Sequence, residues 1–100
     1  MYYIYILYSP SFDKYYVGYT QDYNQRLVTH NTTDKNTFTS KYRPWRIETV
    51  FGAGEDEAKA IHLERFIKKQ KSRKLLLHLI DGKELKNELA QLVRVPHLRD

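Results

Sequence analysis

One carboxylate, an arginine with a histidine four residues on, and two tyrosines in neighbouring aromatic runs are the side chains whose types and spacing could do chemistry. Glu64 lies four residues after Ala60 and three before Ile67, on or beside a helical stripe that should be buried. A carboxylate there is costly to desolvate unless it is paired or binds a cation. A salt bridge to Lys68, four residues on, is the ordinary alternative. Arg26 and His30 share one helix face and can approach the same point. A guanidinium suits bidentate phosphate contacts and stabilises charge gathering on phosphorus. An imidazole can orient water or carry a proton near neutral pH. A surface arginine beside a partly buried histidine would give the same spacing. Tyr5 and Tyr16 are two of nine tyrosines, most of which must be strand aromatics. A phenol poised by its neighbours can join proton transfer, but composition does not choose two from nine. Gly18, inside a strand-like run, marks a bulge or the close approach of a ligand or backbone. The chain has no phosphate-binding glycine loop and no cysteine, and His30, His62, His78 and His97 lack compact zinc spacing.

These residues need elements to position them. Tyr2 to Tyr8 is dense in aromatic and β-branched residues and reads as a strand, ended by the turn formers Ser9, Pro10, Ser11 and Asp13. Tyr15 to Thr20 follows closely enough to pair with it as an antiparallel hairpin, with Tyr16 and Gly18 on one face and Tyr15, Val17 and Tyr19 on the other. Asp22, with Gln25 three positions later, predicts the start of a helix carrying Tyr23, Leu27 and His30. Asn31 to Ser40 reads as a polar loop. Trp45 to Phe51 predicts a third strand, closed by Gly52-Ala53-Gly54. A helix from about Glu55 to Lys71 should bury Ala60, Leu63 and Ile67, and Ser72 should cap another that ends at Gly82. Leu85, Leu89 and Leu92 predict a final amphipathic helix. The expectation is an α+β fold in the order ββαβαα, with a small three-stranded, mostly antiparallel sheet flanked by helices. One hundred residues suit a single domain over 1–100, with its core at about 2–82 and a C-terminal helix and tail at 83–100.

The formal charge of +5 favours anionic partners, chiefly nucleic acid. From Arg65 to Lys74 there are six basic residues and no acid, although cations also gather at helix C-termini for electrostatic reasons alone. The apolar start is too short for a signal peptide's core, and no later stretch could span a bilayer, so the sequence-based expectation is a cytoplasmic protein with no membrane partner.

In order and spacing, these residues resemble the GIY-YIG nucleases, which include the N-terminal cleavage domain of the repair nuclease UvrC and several homing endonucleases. The first motif stands as Tyr3-Ile4-Tyr5 and the second as Tyr16-Val17-Gly18. Arg26, eight residues after Gly18, falls where the family places its catalytic arginine, and His30 where some members carry a histidine. Glu64 matches the metal-binding glutamate. The pattern covers roughly residues 3 to 75 and is closest to the small stand-alone bacterial members. Two departures stand out: Tyr3 replaces the glycine that opens the first motif, and Tyr19 stands where the UvrC-like pattern has a lysine.

The resemblance implies one-metal hydrolysis of a phosphodiester in nucleic acid, DNA rather than RNA, with Mg²⁺ or Mn²⁺ on Glu64. Arg26 would neutralise a phosphate oxygen, and Tyr16, helped by Tyr5 or His30, would position or deprotonate the attacking water. Lys41, Arg43, Arg46, Lys68, Lys69, Lys71 and Arg73, with Gly18, would meet the nucleic-acid backbone. Two alternatives are a binding module without efficient turnover and a protein-interaction domain using the Leu85-Leu89-Leu92 face, since some family nucleases need a partner. Salt dependence of nucleic-acid binding and metal-dependent cutting separate the three.

Overall fold

The computed structural model describes residues 1–33 and 35–96. His97 and the end of the expected tail lie outside the described residues, as does Asp34 in the expected loop. Four strands, β1 (Tyr3–Ser9), β2 (Lys14–Thr20), β3 (Arg46–Gly52) and β4 (Val93–Arg94), form one antiparallel sheet in the order β2-β1-β3-β4. The first two are the expected hairpin. Its turn closes through Asp13, whose φ of 54° is left-handed and whose N–H donates to the Ser9 carbonyl at 2.8 Å. The register sets Tyr5 opposite Gly18 and Leu7 opposite Tyr16.

The described residues hold four α-helices, each capped at its N-terminus by a side chain. In α1 (Tyr23–Thr32), the Asp22 carboxylate accepts from the Gln25 N–H at 3.0 Å. In α3 (Glu57–Gln70), Asp56 accepts from the Ala58 N–H, and Lys71 ends the helix in a left-handed conformation. In α4 (Arg73–Ile80), Ser72 accepts from the Leu75 N–H. The segment expected to be a loop from Asn31 is helical through Thr32 and then holds the short helix α2 (Phe38–Lys41). Thr37 and Ser40 close α2 by exchanging side-chain to backbone hydrogen bonds at 3.3 and 2.9 Å, a reciprocal cap that offsets weak helix propensity.

Both faces of the sheet are covered. On one, Ile4, Ile6, Val17 and Phe51 pack with Ala60, Leu63 and Ile67 of α3 and Leu79 of α4. On the other, Tyr5, Leu7 and Val50 pack with Trp45, Tyr3, Tyr16 and the α1 residues Tyr23 and Leu27.

Two further expectations need correction, and both concern the C-terminal part. The sheet has four strands instead of three, because Val93 and Arg94 pair with Gly52 and Phe51. The final amphipathic helix is instead a 3-10 turn over Asn87–Gln91. Lys86 is extended and Asn87 is left-handed at φ 58°, which stops an α-helix from running through Leu85 to Leu92. Leu89 and Leu92 are buried against the aliphatic face and Leu85 packs beside them, so this leucine set belongs to the core and offers no exposed docking face.

Candidate active site

Tyr5 begins a hydrogen-bonded chain that links three elements. Its ring leaves β1 over Gly18, the directly opposed residue of β2. Any Cβ on Gly18 would overlap the Tyr5 hydroxyl, so the glycine, expected at a close approach of ligand or backbone, gives its space to the phenol. The Tyr5 hydroxyl lies 2.9 Å from Nε2 of His30 on α1, and His30 Nδ1 lies 2.9 Å from Oγ1 of Thr39 on α2. The Trp45 indole N–H donates to the Thr39 carbonyl at 2.7 Å and holds the far end. Tyr5, His30, Thr39 and Trp45 are all buried.

Burial pushes the Tyr5 phenol up to about 12, against the pull of the neighbouring Arg26 cation. Burial, and secondarily the same Arg26 charge, lowers His30 to about 4. At neutral pH the phenol therefore keeps its proton and the imidazole is uncharged. A neutral ring donates from one nitrogen and accepts at the other. The chain thus carries a single proton order from end to end, set by the His30 tautomer.

Around this chain stand the remaining charged groups. Arg26 comes from α1 and hydrogen-bonds the Tyr5 hydroxyl, while its buried Nε has no partner among the described residues. Glu64 comes from α3, the helix that packs on β2 and β1 from the opposite layer. Its side chain is 13% exposed, and Oε1 is 3.2 Å from Lys68 Nζ. Lys68 Nζ also sits 5.2 Å from the centre of the Tyr16 ring. Tyr16 in turn lies 5.0 Å from His30 and 6.3 Å from Tyr5, ring centre to ring centre. Tyr5, Tyr16, Arg26 and His30 thus gather beside the edge strand β2, and Glu64 is linked to them through Lys68.

A model of the GIY-YIG catalytic domain matches residues 1–76, which contain every residue of this cluster. The chain belongs to the GIY-YIG family. No curated protein and no solved structure matches it. A GIY-YIG domain implies nuclease-type activity on DNA, and hence nucleic-acid binding; nucleases of this family are generally divalent-metal dependent. No helix among the described residues is long and apolar enough to cross a membrane.

The cations expected to meet nucleic acid divide into two groups in this GIY-YIG chain. Lys68, Lys71 and Arg73 line an open groove of about 400 Å³ beside Tyr16. Lys14, which the sequence did not single out, joins them from the start of β2. Lys41 and Lys69 are exposed on α2 and α3. Others are engaged within the fold. Arg43 donates to the carbonyls of Asn31 and Thr33 at the end of α1, and Arg46 pairs with Glu48 at 3.0 Å. Arg73 also grips Asp13 and lies over the Tyr15 ring, which ties α4 to the hairpin turn. Thr39 is the other residue missed, hidden in a polar segment where no spacing distinguishes it. A larger cavity, about 510 Å³, opens between α4 and the 3-10 turn and contains none of the cluster.

Proposed function

We propose that the protein is a divalent-metal-dependent endonuclease that hydrolyses phosphodiester bonds in DNA and is structure-selective or nonspecific in its choice of site. The observation that carries this reading is the buried Arg26 Nε–H, which has no hydrogen-bond partner among the described residues although the same guanidinium reaches the Tyr5 hydroxyl. An unpaired buried donor on a permanent cation is costly, and a phosphate oxygen would satisfy both its charge and its hydrogen bond.

Around that phosphate each residue has a part. Arg26 neutralises a non-bridging oxygen as charge builds in the transition state. Tyr16, half-buried at the groove wall, positions the attacking water. Tyr5 remains un-ionised at neutral pH, and its link to His30 and Thr39 keeps the aromatic wall and Arg26 in register. Glu64 would hold Mg²⁺ or Mn²⁺. Its carboxylate is a hard oxygen donor at a half-buried position, which fits such an ion. No group of three or more His, Cys, Asp or Glu side chains converges among the described residues, so water and phosphate oxygens would complete the shell. When bound, the ion supplies charge stabilisation to the phosphate and the leaving oxygen. Lys68 balances Glu64 without the ion.

That last pair also favours one alternative. With Lys68 already neutralising Glu64, the chain could be a nucleic-acid-binding module that does not cut without a partner protein. A labelled panel of single-stranded, duplex, flap and branched DNA with Mg²⁺, Mn²⁺ or EDTA decides between them. The expected result is metal-dependent cutting that Arg26→Ala and Glu64→Gln each reduce by about 100-fold or more while remaining folded. Full activity in either folded variant overturns the assignment. Salt-dependent binding without cutting selects the alternative.

A further inference from the structure

Beside the cluster runs a second line of aromatic rings that the reaction does not use. Phe38 of α2 is 46% exposed and Phe12 in the hairpin turn is 48% exposed. Tyr42 bridges them, 4.9 Å from Phe38 and 5.4 Å from Phe12 between ring centres. Phe38 continues the line inward: its ring is 6.2 Å from that of Tyr16 and within 26° of parallel to it. Single exposed apolar residues are commonplace on protein surfaces. Two exposed phenylalanines joined through a third ring, and abutting a phosphate site, are a different arrangement.

The surroundings indicate what would cover these rings. Lys14 Nζ stands 5.4 Å from the centre of the Tyr42 ring, and Lys68 and Lys71 share the groove with Phe38. Lys41 is exposed on the same short helix as Phe38. The nearby acids are occupied, Asp13 by Arg73 and Tyr8, and Glu64 by Lys68. An apolar π-surface inside a cationic border complements a ligand that has aromatic faces on an anionic chain. Paired bases in a continuous duplex have both faces covered by their neighbours, so only an unpaired base has a face to offer.

Phe38 is also well placed to set a distance. The reciprocal cap of Thr37 and Ser40 fixes the turn that carries it. The next residue, Thr39, points inward to hydrogen-bond His30. One turn of helix thus fixes the outer ring and the buried proton chain together.

The geometry points to a base-stacking site formed by Phe38, Tyr42 and Phe12, which takes an unpaired base of a DNA strand whose phosphate lies at Arg26. The substrate class is therefore single-stranded DNA, or duplex with a locally unpaired base next to the cleaved bond. This narrows the nuclease reading and rests on it for the position of the phosphate.

Binding of the full chain in EDTA, where nothing is cut, tests the site independently of turnover. Wild type and Phe38→Leu, which keeps an apolar side chain but removes the ring, are titrated with one labelled single strand and with its blunt duplex. The expected loss for Phe38→Leu is roughly 5- to 100-fold on the single strand, the range for one base–aromatic stack, with duplex binding unchanged. Equal effects on both forms, or no effect on either, overturn the proposal. Phe12→Leu, titrated in parallel, should show the same preference at smaller size, and it serves if Phe38→Leu does not fold. A fully abasic strand of the same length needs no variant: wild type should bind it more weakly than the base-bearing strand, and equal affinity for the two overturns the site. If the stacking signature is present but the metal panel shows no cutting, the nuclease reading fails while the binding site stands.

Discussion

The two faces of the sheet are built from different chemistry, although they share the same strands. The face under α3 and α4 is aliphatic, with Ile4, Ile6, Val17, Leu63, Ile67 and Leu79 interlocked. The face under α1 and α2 buries Tyr5, His30, Thr39 and Trp45, whose polar atoms must find one another in a low-dielectric interior. Alternation along β1 assigns its residues to the two faces in turn, so stability and chemistry are interleaved residue by residue. The aliphatic face gains from burial without directional demands. The polar face gains less from burial, because its net return depends on hydrogen bonds that must all be kept. A change on the first should therefore alter how much protein is folded. A change on the second should also alter what the folded protein can do.

The strongest test of that division is Leu63→Ala, at a fully buried position of the aliphatic face. Denaturant unfolding should show a loss of about 2–5 kcal/mol, the usual range for removing a core leucine. Cutting per folded molecule should stay at the wild-type level, and a comparable fall in that quantity would erase the distinction. Gly18→Ala adds a single carbon on the polar face, where it would overlap the Tyr5 ring. The stability loss should be smaller, about 1–3 kcal/mol, as is typical of overpacking. Cutting by the folded fraction should nevertheless fall, because the Tyr5 hydroxyl has to move away from His30.

The smallest effect is in pH dependence. Folding lowers His30 from 6.5 to about 4, so between those values the unfolded chain binds a proton that the native state refuses. Stability is therefore undiminished above about pH 6.5 and declines as the pH falls towards 4. The decline should be on the order of 1–2 kcal/mol after allowing for solvent screening. Melting curves across that interval should be steeper in pH for the wild type than for His30→Gln; parallel profiles would mean that His30 does not carry the difference.

Much of this was legible in the sequence because it depends on local pattern. The aromatic runs and the turn at Asp13 specify the hairpin, and the hairpin register alone brings Tyr5 over Gly18. The spacing of Ala60, Leu63 and Ile67 defines the buried stripe of α3 and leaves Glu64 at its margin, where its side chain is found. The C-terminal segment was misread because Leu85, Leu89 and Leu92 satisfy helical spacing, while Asn87 in a left-handed conformation breaks the helix between them. Helix α2 was missed because Thr37, Thr39 and Ser40 are residues of loops unless their hydroxyls find caps and partners. Nor does a count of cations show which are engaged internally. Arg43 binds carbonyls at the end of α1 and Arg73 grips Asp13, contacts that exist only once distant segments meet.

The chain has one tryptophan, and it is buried on the polar face alone. Trp45 lies 6.3 Å from Tyr16 and 6.1 Å from Phe38, with its indole N–H held by Thr39. The aliphatic face has no such chromophore. Intrinsic emission excited at the red edge is therefore a built-in optical gauge of the polar face, and a nucleobase settling on Phe38, as proposed, would quench it without any attached dye.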